Sequence, residues 1–155
     1  MTPIFQQIAG DEGDCLRACI ASILDLPADV VPVFEGSNAY LQNIAVRSFL
    51  RGFGYTYTCV VYRALDDDPG PGPVLRAFGV ENDDLYYILT GLTERGVGHA
   101  VVCYGNEIVH DPSGHPDTIV APDDKHYTVG IIAYKGGHAP VSKRSRVRRL
   151  SKREA

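Results

Sequence analysis

Three residues far apart in this chain have the types needed for nucleophilic catalysis: Cys15, His99 and Asp111. Cys15 follows a turn-forming run, Gly10-Asp11-Glu12-Gly13-Asp14, and opens the apolar stretch Cys15-Leu16-Arg17-Ala18-Cys19-Ile20-Ala21-Ser22-Ile23-Leu24. Asp14 is a favourable N-cap, expected to accept backbone N–H groups of the first turn through its side chain. A thiol in that turn sits among N–H groups with no intrahelical partner, at the positive end of the helix dipole. Negative charge on sulfur is favoured there, and the same N–H groups can hold an oxyanion. The plainer reading of a cysteine in such a run is a small buried side chain; Cys19, one turn further on, fits it.

His99 opens the strand-like run Gly98-His99-Ala100-Val101-Val102-Cys103-Tyr104, and Asp111 ends Glu107-Ile108-Val109-His110-Asp111-Pro112. Gly105-Asn106 between the two runs is a tight hairpin signal, so Asp111 should return to the end of the hairpin where His99 begins. A carboxylate beside an imidazole fixes its tautomer and stabilises its charged form. Taken singly, His99 reads as a satisfied structural histidine and Asp111 as a turn residue before proline; the three together point to chemistry. His110 and His115 flank the set and read as exposed loop histidines.

The segments Gln7, Gly13-Asp14-Cys15-Leu16-Arg17-Ala18-Cys19, Gly98-His99-Ala100-Val101-Val102 and Val109-His110-Asp111-Pro112, in that order, resemble the papain-like cysteine peptidase fold over roughly residues 4–134. The likeness is greatest to the compact branch that includes the leader-cleaving peptidase domains of bacteriocin exporters. Short bacterial and phage proteins with Asp-Cys-Leu-Arg-Ala-Cys and His-Asp-Pro segments are also similar. The resemblance implies Cys15 as nucleophile, His99 as general base and Asp111 as the residue that orients it. It implies Gln7 as the side-chain donor of the oxyanion hole, with Gln6 competing because the spacing to Cys15 is longer than the family's usual. Leu16 stands where the exporter peptidases typically have Gly. The implied reaction cleaves a peptide or isopeptide amide through a thioester, with no metal or organic cofactor. Two alternatives remain open: transfer to an amine instead of water, and a catalytically silent binding module, phage-borne, that captures a host factor.

The elements that must position these residues follow from pattern. A buried helix is expected from Cys15 to Pro27 and a second over 38–51, where Leu41, Ile44, Ala45, Phe49 and Leu50 recur at helical spacing. Strands are expected over 55–62, 85–89, 99–104, 107–110 and 127–134, and a solvated loop over the Asp/Pro/Gly-rich 66–73. Helices first and strands after give an α+β class, with an N-terminal buried helix carrying the nucleophile packed on an antiparallel sheet.

The 155 residues suit one domain, expected over 1–138, and 45% apolar content is enough for a core without staples. Cys15, Cys19, Cys59 and Cys103 are read as reduced thiols; zinc is set aside because no second compact Cys/His pair accompanies Cys15 and Cys19. Neither a signal peptide nor a membrane span is apparent, so a cytoplasmic location and no membrane partner are expected. Residues 141–155 hold seven Lys/Arg against one Glu, net +6, whereas the rest holds eight against eighteen, net −10. The segment 139–155 reads as a flexible basic tail able to contact nucleic acid or another acidic surface.

Overall fold

A computed structural model describes residues 1–10, 13–34, 38–115 and 119–136. The elements run α1 (Cys15–Leu24), a 3-10 turn (Ala28–Val30), α2 (Ala39–Gly52), β1 (Tyr55–Arg63), α3 (Gly72–Gly79), β2 (Tyr86–Leu92), β3 (Gly98–Tyr104), β4 (Glu107–His110) and β5 (His126–Tyr134). The class is α+β; the described residues form three α-helices and one antiparallel five-stranded sheet in the order β1-β5-β2-β3-β4.

Alternation along the strands divides the core in two. Tyr57, Ile88, Ala100 and Val102 face α1 and α2, where Cys19, Ile20, Val46 and Leu50 are buried with them. Their neighbours Tyr87, Leu89, Val101, Cys103, Tyr127 and Val129 turn to the opposite face, against Val74 and Phe78 of α3. Both faces are covered, which is why β2 and β3 read as almost continuous apolar runs. Helix α1 ends as Asp25 takes a left-handed φ of 55° and Leu26 donates to the Ala21 carbonyl; Pro27 follows two residues beyond.

Sequence pattern assigns 66–73 to a loop and all helices ahead of the strands. The structure instead starts α3 at Gly72, between β1 and β2. Pro73 lies in its first turn, where the missing N–H has no intrahelical partner to lose. Val74 and Phe78, four residues apart, then bury on the sheet. Gly137, the expected boundary after 138 and the basic segment 139–155 lie outside the described residues. Among the described residues no helix is long and apolar enough to cross a membrane.

Candidate active site

Cys15 is the first residue of α1 and half-buried. The cap expected before it works differently. Asp14, only 4% exposed, makes no side-chain cap bond to the backbone N–H groups of its own helix. Its Oδ1 accepts the backbone N–H groups of Gln7 and Ile8, both at 2.9 Å, and its Oδ2 takes Arg17 Nη1 at 3.0 Å. With φ −102° and ψ 28° the Asp14 backbone is not in the extended geometry that folds a cap back over the first turn. The carboxylate therefore turns outward to the preceding strap. Arg17 is pinned in turn: Nε donates to the Ala28 and Val31 carbonyls at 2.9 and 2.8 Å, and Nη2 to Ala28 at 2.6 Å.

Residues 4–8 form that strap alongside α1, tied from Ser22 near its C-terminal end to Asp14 before its start, and each of four backbone N–H groups has an acceptor. Ile4 donates to Ser22 Oγ at 2.9 Å, Gln6 to the Pro112 carbonyl at 2.9 Å, and Gln7 and Ile8 to Asp14. His110 secures the same strap. The sequence reads it as an exposed loop histidine, yet it is the buried last residue of β4, 8% exposed. Its Nε2 bonds the Ile4 carbonyl at 2.7 Å and its ring meets Phe5 edge-on at 5.2 Å. An imidazole bonded to a carbonyl must donate, so Nε2 carries the proton. Below the strap, Gly13 passes so close to the Gly10 carbonyl that a Cβ would lie 2.8 Å from that oxygen.

His99 is buried at the start of β3, 5% exposed, and its Nε2 is 2.9 Å from Asp111 Oδ1. The thiol of Cys15 lies near the same ring and favours its charged form. Burial alone pushes this imidazole down. Asp111 and Cys15 together outweigh it and raise His99 to about 9. Burial likewise favours the neutral form of Asp111, but His99 and Ser113 hold its carboxyl below the ordinary value. Ser113 is the partner the sequence reading lacked. Its backbone N–H donates to Asp111 Oδ1 at 2.9 Å, a local Asx turn signalled by the run Asp111-Pro112-Ser113. Across the ladder from His99 stands Gly91, where a Cβ would meet the Val120 carbonyl at 2.6 Å.

A bulge sets the position of Asp111. Tyr104 pairs with Glu107 and Cys103 with Ile108, but Val102 pairs with His110, so β4 carries one extra residue. Without it His110 would stand one place earlier in the register, where Asp111 now is. Bulges beside functional sites commonly re-aim a side chain in this way.

The cleft beside these groups has a volume of about 340 Å³. Its walls include Gln6, Gln7, Cys15, Gly98, His99 and Ser113. Both glutamines reach it, but differently. Gln6 is half-buried, and its Oε1 is enclosed with no hydrogen-bond partner; Gln7 is exposed. Exposed His115 lies on the rim. The structure thus brings Cys15, His99 and Asp111 together, with Gln6 and Gln7 on the same cleft. Cys19 is elsewhere in character: fully buried, its thiol donates to the Ala100 carbonyl at 3.4 Å, and burial pushes it well up. All four cysteines are free thiols. Among the described residues no group of three or more His, Cys, Asp or Glu is placed to hold a metal ion.

The chain matches no family model, and no similar curated protein or solved structure was found.

Proposed function

We propose that this protein is a papain-like cysteine hydrolase that cleaves a peptide or isopeptide amide, working in the cytoplasm. The observation that carries the reading is one buried imidazole bonded to Asp111 and sharing its cleft with the Cys15 thiol, which favours the charged ring. Asp111 occupies Nε2, leaving Nδ1 to take the thiol proton. A ring that holds its proton up to about 9 can stabilise negative charge developing on the neighbouring sulfur.

The thiolate attacks the amide carbonyl carbon, forming the S–C bond. The oxyanion is held by the Cys15 backbone N–H, at the start of α1, and by a glutamine amide on the cleft wall. Gln6, the enclosed one of the pair, suits that second role better than exposed Gln7. Collapse breaks the C–N bond as His99 gives its proton to the leaving amine. Water, deprotonated by His99, then hydrolyses the thioester and returns the thiol. Nothing in these steps calls for a cofactor.

The test is selective alkylation. Iodoacetamide at neutral pH is expected to modify Cys15 at least tenfold faster than half-buried Cys59, with mass spectrometry locating the adduct. Cys15→Ser should then abolish turnover in a panel of peptide, isopeptide and ester substrates, while circular dichroism stays unchanged. Equal, slow labelling of the cysteines would overturn the enzyme reading and leave a binding module on this fold.

A further inference from the structure

We infer that Asp14 is a positioning residue for acyl transfer: it ties the glutamine strap to the nucleophile's helix, so that the two halves of the oxyanion hole keep their spacing. This rests on the hydrolase reading above. One half, the N–H of Cys15, belongs to α1; the other, the amide of Gln6 or Gln7, belongs to residues 4–8. Between these segments the Gly13 N–H donates to the Gly10 carbonyl at 2.9 Å. The direct ties are made largely by one side chain. Asp14 Oδ1 takes two successive backbone N–H groups, of Gln7 and Ile8, and the Ile8 carbonyl accepts the N–H of Asp14 at 3.2 Å.

The immediate neighbour of Cys15 is thus a buried carboxylate, an arrangement that by itself opposes a thiolate. Arg17 offsets that charge through Oδ2 at 3.0 Å. Arg17 also anchors the carboxylate to the 3-10 turn through the Ala28 carbonyl. An N-cap serine or asparagine would serve the helix alone. An aspartate paired with arginine at i and i+3 instead holds the strap, at the cost of burying an ion pair beside the active thiol.

The consequence is specific to reactions that pass through an oxyanion. Alkylation by iodoacetamide is a displacement at saturated carbon: the S–C bond forms, iodide leaves, and no oxyanion develops. Acylation by p-nitrophenyl acetate passes through one: the S–C bond forms, the ester C–O bond breaks, and p-nitrophenolate leaves. Asp14→Ala is therefore expected to lower the acylation rate by ~10²-fold, within the range for losing one oxyanion donor. Its iodoacetamide rate should stay within about threefold of wild type, since His99 and Asp111 are untouched.

Asp14→Asn keeps an acceptor but loses its charge. It should lower acylation by about tenfold with the alkylation rate again unchanged, because charge-assisted bonds are roughly twice as strong as neutral ones. If Asp14→Ala does not fold, as judged by thermal melting, Asp14→Asn decides alone on that same split. Parallel loss of both rates, or no loss of acylation, overturns the positioning role. Slow alkylation of Cys15 in the wild-type protein would instead overturn the nucleophile reading, and this inference with it.

Discussion

At the scale of single residues, the candidate site is built on one ring beside Asp111 and Cys15, and the ring's charge state depends on both. Removing the negative charge of Asp111 while keeping an acceptor separates orientation from electrostatics. In Asp111→Asn the side-chain oxygen can still take the Nε2 proton and the Ser113 N–H. The burial that opposes imidazolium is then no longer outweighed by a carboxylate. The His99 titration, followed by the ring C–H resonance in NMR and assigned with His99→Gln, should fall from about 9 by roughly 1–3 pH units. A titration that stays near its wild-type value would show that Asp111 is not what sustains the imidazolium. Cys15, His99 and Asp111 were legible because each stands at a place that sequence marks: a helix start, a strand start, a hairpin end. Asp14 was legible as a helix-flanking acid but not in its role. A carboxylate before a helix can serve the first turn or a neighbouring segment, and only its backbone angles decide which. His110 was misread for a related reason: its buried acceptor, the Ile4 carbonyl, lies 106 residues away.

At the scale of elements, periodicity and turn chemistry placed α1, α2 and all five strands to within a few residues, because their apolar residues recur at one period and end at Gly, Pro or Gly-Asn signals. Two elements escaped. The β4 bulge is one extra residue in an already short strand, and single-chain alternation over four residues cannot register it. Helix α3 is eight residues long and begins with Gly and Pro, so its propensity is poor and its stability comes from burial. That makes it a test of the second core layer. Phe78 packs edge-on against Tyr87 at 4.6 Å and against Tyr62 at 6.1 Å. Phe78→Ala should cost about 3–5 kcal/mol in urea unfolding, the usual range for a buried aromatic. Because α3 covers the face opposite α1, the folded variant should keep the wild-type iodoacetamide rate at Cys15. A loss below about 1 kcal/mol would mean that α3 is not part of the core.

At the scale of the whole molecule, the sheet divides the interior into two layers, and each contains thiols or phenols that must stay neutral. The α1–α2 layer holds Cys19 and Tyr57; the α3 layer holds Cys103, Tyr87 and Tyr127. Burial is the main cause that raises all five, with Cys103 and Tyr127 both pushed to about 12. The sign follows from proton counting. Below the ordinary thiol value near 9, folded and unfolded chains both hold these protons and the contribution is complete. Above it the unfolded chain releases protons that the folded chain retains, so stability falls as pH rises towards about 12. Alkali therefore attacks both layers at once, and melting temperature should drop steeply above about pH 9 as one cooperative transition. Cys103→Ala isolates one contribution. It should melt lower than wild type at neutral pH, because a small cavity opens between β2, β3 and α3. Between pH 9 and 12 it should then lose less stability than wild type, since one linked proton is gone. Parallel curves for the two proteins across that range would show that the Cys103 thiol is not held neutral by the fold.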